Sequence, residues 1–66
     1  MEYGIGTSWR FNVEANGKIE LYTGRITQED EISLMIYTIK DETRSIRKSD
    51  IKSSVKLFGD LNERNN

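Results

Sequence analysis

The chain contains no cysteine and no histidine. Disulfide staples and the usual zinc ligands are therefore excluded. So are the common nucleophile–base pairs of covalent catalysis, which draw on those two residue types. No Asp-x-Asp-x-Asp-Gly loop is present to hold calcium. No apolar run approaches the roughly 20 residues of a membrane-spanning helix. Met1-Glu2-Tyr3-Gly4 has neither the basic start nor the apolar run of a secretory leader. A cytoplasmic location, or a nuclear one in a eukaryote, is expected rather than secretion. An excess of one charge is missing too. Ten basic and eleven acidic residues give a formal charge of −1. A protein that coats nucleic acid by general electrostatics is strongly basic, so any such binding here must come from a local patch. Gly4-Ile5-Gly6 is no phosphate-binding fingerprint, because no strand precedes it. The expectation is a protein that is not an enzyme and uses no metal, cofactor or small-molecule substrate.

What is present amounts to 66 residues, enough for one domain. A domain of this size buries only about 60% of the surface that its unfolded chain exposes, so its stability is marginal. With disulfides and zinc excluded, oligomerisation or unusually good packing is the remaining support. Apolar residues make up 35% of the chain and charged residues 32%, which suits a soluble protein with a small core.

The order of residues reads as a series of strands. Gly4 to Ser8 form a flexible lead-in. Trp9, Phe11 and Val13 then alternate with Arg10, Asn12 and Glu14, the pattern of a half-buried strand. Asn16-Gly17 follows, the strongest short hairpin signal, because both residues tolerate positive φ. In the second run, residues 18–27, Ile19 and Leu21 share one parity while Tyr22, Gly24 and Ile26 share the other. That switch predicts a bulge or sharp bend near residues 22–24. Gln28-Glu29-Asp30-Glu31 is a charged turn, and residues 33–39 are apolar on both faces, as in a central strand. Lys40-Asp41-Glu42 is a polar turn, and residues 43–48 form a short strand with Ile46 inward. Ile51, Val55 and Leu57 hold one parity through a last strand. Residues 59–66 form a polar, disordered tail behind a barrel domain of residues 1–58.

A helix over residues 27–40 is the alternative. Ile32, Met35, Ile36 and Ile39 also sit at i, i+3, i+4 and i+7, and Thr27 with Asp30 offers a weak capping pair. Against it, Ile36-Tyr37-Thr38-Ile39 is β-branched and aromatic, which suits a pleated surface. The strand reading gives an all-β fold of five strands, a small open barrel of SH3-like form with no long helix.

Two short segments then carry a family resemblance. Gly24, Ile26 and Asp30 have the spacing of the first motif of the Sm-like family of RNA-binding small barrels. Ile46, Arg47 and Ile51 resemble its second motif. Lys48 stands where that motif has glycine, and Ile32 stands where a base-stacking aromatic is common. The chain thus resembles a divergent Sm-like (LSm-type) protein. The resemblance implies a homo-oligomeric ring closed by edge-strand pairing, acting as a scaffold or chaperone for single-stranded RNA. It also implies an RNA subsite at Asp30, Ile32, Arg47 and Lys48. Asp30 would bond a base edge, Arg47 would cover the base, and Lys48 would attract phosphate. A second possibility is a protein-interaction barrel of the same fold, pairing through its edges within a larger complex and lacking an RNA site. A third is a small α+β regulator built on a helix at residues 27–40.

Overall fold

The computed structural model describes residues 3–58. Five antiparallel strands form one open sheet in the order β4-β3-β2-β1-β5. They are β1 (Ser8–Ala15), β2 (Lys18–Glu29), β3 (Ser33–Thr38), β4 (Thr43–Arg47) and β5 (Ile51–Phe58), with a 3-10 turn (Lys48–Asp50) between the last two. Residues 27–40 contain no helix, because β2 runs to Glu29 and β3 begins at Ser33. Among the described residues, no helix is long and apolar enough to cross a membrane. The predicted tail, residues 59–66, lies outside the described residues.

The β1–β2 connection is the tight turn that its dipeptide implies. Asn16 and Gly17 both have positive φ, 55° and 78°. That twist matches the right-handed twist of the flanking strands. The hairpin ladder then runs without interruption from Ala15↔Lys18 to Ser8↔Arg25. The bend expected near residues 22–24 is therefore no bulge in this ladder. The parity switch has a simpler origin: Ile19 and Leu21 lie on the outer face, each about two-thirds exposed (67% and 68%).

Strand β2 is long because it serves two halves of the sheet. Residues 18–25 pair with β1, and pairing with β3 begins at Gly24↔Thr38. The hand-over falls at Gly24, where the two neighbouring strands crowd the backbone. A Cβ at Gly24 would lie 2.3 Å from the Tyr37 carbonyl oxygen and 2.9 Å from Thr38 Cα. Glycine is needed here for close approach of backbones. The extra residue sits further along, at Thr27, between Ile26↔Ile36 and Gln28↔Met35. This bulge reverses the parity of the strand end. Glu29, opposite Leu34, now faces inward where Gln28 otherwise would.

Two further register shifts lie on β5. Against β1, the pairing steps from Val13↔Ile51 to Asn12↔Ser53, and from Trp9↔Lys56 to Ser8↔Phe58, passing over Lys52 and Leu57. The single inward parity expected of Ile51, Val55 and Leu57 is thereby broken. Ser54 sits opposite Phe11, and Val55 is turned outward and exposed. In β3, too, only one face is covered. Leu34, Ile36 and Thr38 are buried, while Tyr37 is exposed on the other side.

The core is small: Phe11, Val13, Ile26, Leu34, Ile36 and Ile46, with Tyr3, Trp9, Tyr22 and Ile51 packed around it. Tyr3 and Trp9 meet edge to face at 4.9 Å, and Tyr3 meets Phe11 in the same way at 5.5 Å. The lead-in is thus structured rather than flexible. Gly6 N donates to the Ile26 carbonyl at 2.8 Å, and Ile26 N donates to the Thr7 carbonyl at 2.9 Å. These bonds continue the β1–β2 ladder. Positive φ at Gly4 and Gly6 then folds Tyr3 back over the core.

The close approach at Gly24 generates a stability prediction. Gly24→Ala is expected to cost about 3 kcal/mol, the upper part of the usual range for overpacking, since backbone rather than a flexible side chain must give way. Urea unfolding followed through Trp9 fluorescence reads it. A loss below about 1 kcal/mol would show that the hand-over is not tight.

Candidate functional site

The end of the sheet that carries the charged turn is built around one carboxylate. The Glu29 side chain has no exposed surface (0%) and pairs with Lys48 Nζ at 2.9 Å. Its two oxygens also accept from the backbone amides of Gly4 (2.8 Å) and Tyr3 (3.2 Å). The Lys48 ammonium lies 5.9 Å from the centre of the Tyr3 ring, within cation–π reach. Three separate segments are fastened there: the lead-in, the end of β2 and the 3-10 turn.

Asp30 follows on the outside. Its Oδ1 accepts from Ser33 N at 2.8 Å and Ile32 N at 2.9 Å, and Asp30 N donates to the Ser33 carbonyl at 3.0 Å. This is the local side-chain-to-backbone bonding for which aspartate is favoured in turns. The amides of Ser33 and Ile32 hold its carboxyl below the usual carboxylate range. The turn projects Ile32 into solvent, 68% exposed. It is tied to the 3-10 turn, because Lys48 N donates to the Ile32 carbonyl at 2.8 Å and Ser33 pairs with Arg47.

Asp30, Ile32, Arg47 and Lys48 therefore do come together at one end, but with different roles. Ile32 and Arg47 line one open concavity of about 570 Å³. Asp30 lies on its flank, facing a neighbouring depression beside Gln28 and Met35. Lys48, expected from the sequence as a second exposed cation, is turned inward to Glu29. Two residues that the sequence does not mark as site residues also line the concavity, Asn16 from the hairpin and Asp50 from the 3-10 turn, together with Ala15, Ser33 and Ser45. The side chains of Asn16, Arg47 and Asp50 make no hydrogen bond or ion pair with another described residue. Among the described residues, no group of three or more Asp or Glu side chains is placed to hold a metal ion.

Comparison with protein-family models, with curated proteins and with solved structures found no match to this chain.

Two predictions follow from the anchoring contacts. Glu29→Gln removes the buried carboxylate that pairs with Lys48 and is expected to cost about 3–5 kcal/mol, enough to unfold a domain this small. Adding Lys48→Met to it should restore much of the loss, because the inward-turned ammonium that Glu29 pairs with is gone too. Strict additivity in that double-mutant cycle would show that the two groups do not interact.

Asp30 adds a pH effect. Its folded carboxyl titrates below the unfolded one, so its contribution is present above the ordinary aspartate pKa and lost as the pH falls through the lowered value. Asp30→Ala should therefore be less stable than the parent at neutral pH, with the gap shrinking as the pH falls through the lowered value. A stability gap unchanged by acid would refute the role of the charge.

Proposed function

We propose that the chain is a divergent Sm-like small barrel that self-associates through its edge strands and binds single-stranded RNA as a scaffold or chaperone. One arrangement supports this reading above all. The β2–β3 turn that holds Ile32 is bonded to the 3-10 turn that follows Arg47, and both open onto a single concavity lined by an exposed aliphatic side chain and a guanidinium with no partner among the described residues. Single-stranded RNA is bound by such surfaces, with splayed bases covered by apolar or guanidinium planes and bonded along their edges. The open sheet adds a second support. β4 and β5 are its two edges, and among the described residues neither has a strand paired on its outer side. Pairing one edge with another copy's opposite edge is head-to-tail and closes into a ring where the rotation allows. Each subunit would then contribute one weak subsite, and the repeat would supply avidity.

A protein-interaction barrel is the second reading. The observation that favours it is the inward turn of Lys48, which leaves Arg47 as the cation of the concavity, in a chain of net charge −1.

Light scattering on a sizing column, across a range of concentrations, tests the assembly. The expected result is a stable mass several times that of one chain. Fluorescence anisotropy with a labelled single-stranded RNA heptamer tests the subsite. Arg47→Ala is expected to weaken binding roughly tenfold, the size of one lost stacking contact. Binding unchanged by both Arg47→Ala and Ile32→Ala would remove the subsite. A monomer that binds no RNA would leave the protein-interaction reading.

A further inference from the structure

We infer that the concavity between Ile32, Arg47, Asn16 and Asp50 selects guanine among the bases of a single strand, with the Asp50 carboxylate as the specificity-determining group. The inference rests on the RNA-binding reading above and names what that site would recognise.

The chemistry comes from the complement of groups. Asp50 is only partly exposed, lines the concavity, and has no partner among the described residues. An ionised carboxylate only accepts hydrogen bonds, and its two oxygens suit two parallel donors. Among the four RNA bases, guanine alone presents two adjacent donors, N1–H and the N2 amino group, on its Watson–Crick edge. Adenine and cytosine offer one amino group beside an acceptor, and uracil offers one N–H between two carbonyls. Those acceptors would face the carboxylate and repel it. The remaining groups fit the rest of a guanine. The Arg47 guanidinium and the Asn16 carboxamide can donate to O6 and N7, the acceptors by which guanine is commonly read. Ile32 supplies an apolar surface for the ring face.

Charge points the same way. One guanidinium set beside one carboxylate gives the concavity little pull on a phosphate, which favours reading a base edge. The Asn16 position is fixed by the hairpin turn, and Asp50 is fixed by the 3-10 turn that Lys48 anchors. The donor and acceptor groups are thus carried on backbone that is already constrained, as specific recognition requires.

The test uses uridine heptamers whose central residue is guanosine, inosine, adenosine, cytidine or uridine, with binding read by anisotropy. Wild-type protein is expected to bind the guanosine heptamer about tenfold tighter than the adenosine, cytidine or uridine ones, the scale of one bidentate base contact. Inosine, which lacks the N2 amino group, should lose most of that advantage. Asp50→Asn and Asp50→Ala should both level the series, bringing the guanosine heptamer down to the affinity of the others. Asp50 bonds no other described side chain, so an unchanged melting curve is expected for both variants.

A flat series in the wild type would overturn the inference and leave RNA binding intact. Equal weakening of all five heptamers by the Asp50 variants would also overturn it. Failure of the wild type to bind any heptamer is a different result, because it removes the RNA-binding reading itself. Free GMP is the control for the source of the base. Competition at the concentration of the guanosine heptamer would overturn the assignment to a single strand.

Discussion

A carboxylate with no exposed surface has to be neutralised where it sits, because an unpaired charge in a protein interior costs on the order of several kcal/mol. Glu29 meets this demand with the Lys48 ammonium and two backbone amides of the lead-in. Each partner comes from a different part of the chain. The arrangement therefore acts as a three-way tie at an end where the sheet itself is open. It also decides what faces solvent. With Lys48 committed inward, its neighbour Arg47 points outward, and the following residues wind through a 3-10 turn that delivers Asp50 to the same side. The exposed groups of the candidate site are arranged by a buried contact that no ligand would touch.

That tie depends in turn on backbone devices in β2. The bulge at Thr27 is what aims Glu29 inward, and Thr27 Oγ1 donates to the Met35 carbonyl across the shifted register. Upstream, Gly24 lets β2 pass from one neighbour to the other without a side chain in the way. The resulting curl matters for the site. On a flat sheet, the β1–β2 turn and the β2–β3 turn would lie at opposite ends of a twelve-residue strand. Here the 3-10 turn bridges them, and Asn16 and Ile32 line one concavity.

The legible parts of this architecture were those written in local pattern. The alternation at Trp9, Phe11 and Val13, the Asn-Gly turn and the inward Ile46 all appear where short-range rules put them. The glycine at position 24 was readable as a bend, though the mechanism is close backbone approach rather than an extra residue. What could not be read was register. Three single-residue insertions, at Thr27, Lys52 and Leu57, reverse facing without any composition signal of their own. The same blindness hid Glu29. In Gln28-Glu29-Asp30-Glu31 it looks like one more solvated charge, and charged residues are almost never fully buried unless paired. Its pairing with Lys48 spans nineteen positions and needs the folded sheet. Asp30, Ile32 and Arg47 were found together because two turns of a meander share an end, whereas Asn16 and Asp50 join them only through the curl.

The electrostatics of that end constrain any ligand more than its shape does. Binding of single strands usually draws on counterion release, with affinity falling with salt in proportion to the phosphates neutralised, at roughly 0.7 per contact. Among the described residues, a concavity lined by one guanidinium, with an acidic residue on its rim and another on its flank, gains little from that source. On the RNA-binding reading proposed above, affinity would then come from stacking, from edge contacts and from repetition of the site around an assembly. These are the contributions that carry sequence information or depend on geometry, and general phosphate attraction carries none. On that proposed RNA-binding reading, a near-neutral domain of this kind would sacrifice indiscriminate affinity for nucleic acid, and its binding would rest on selectivity at each subsite and on the number of subsites brought together.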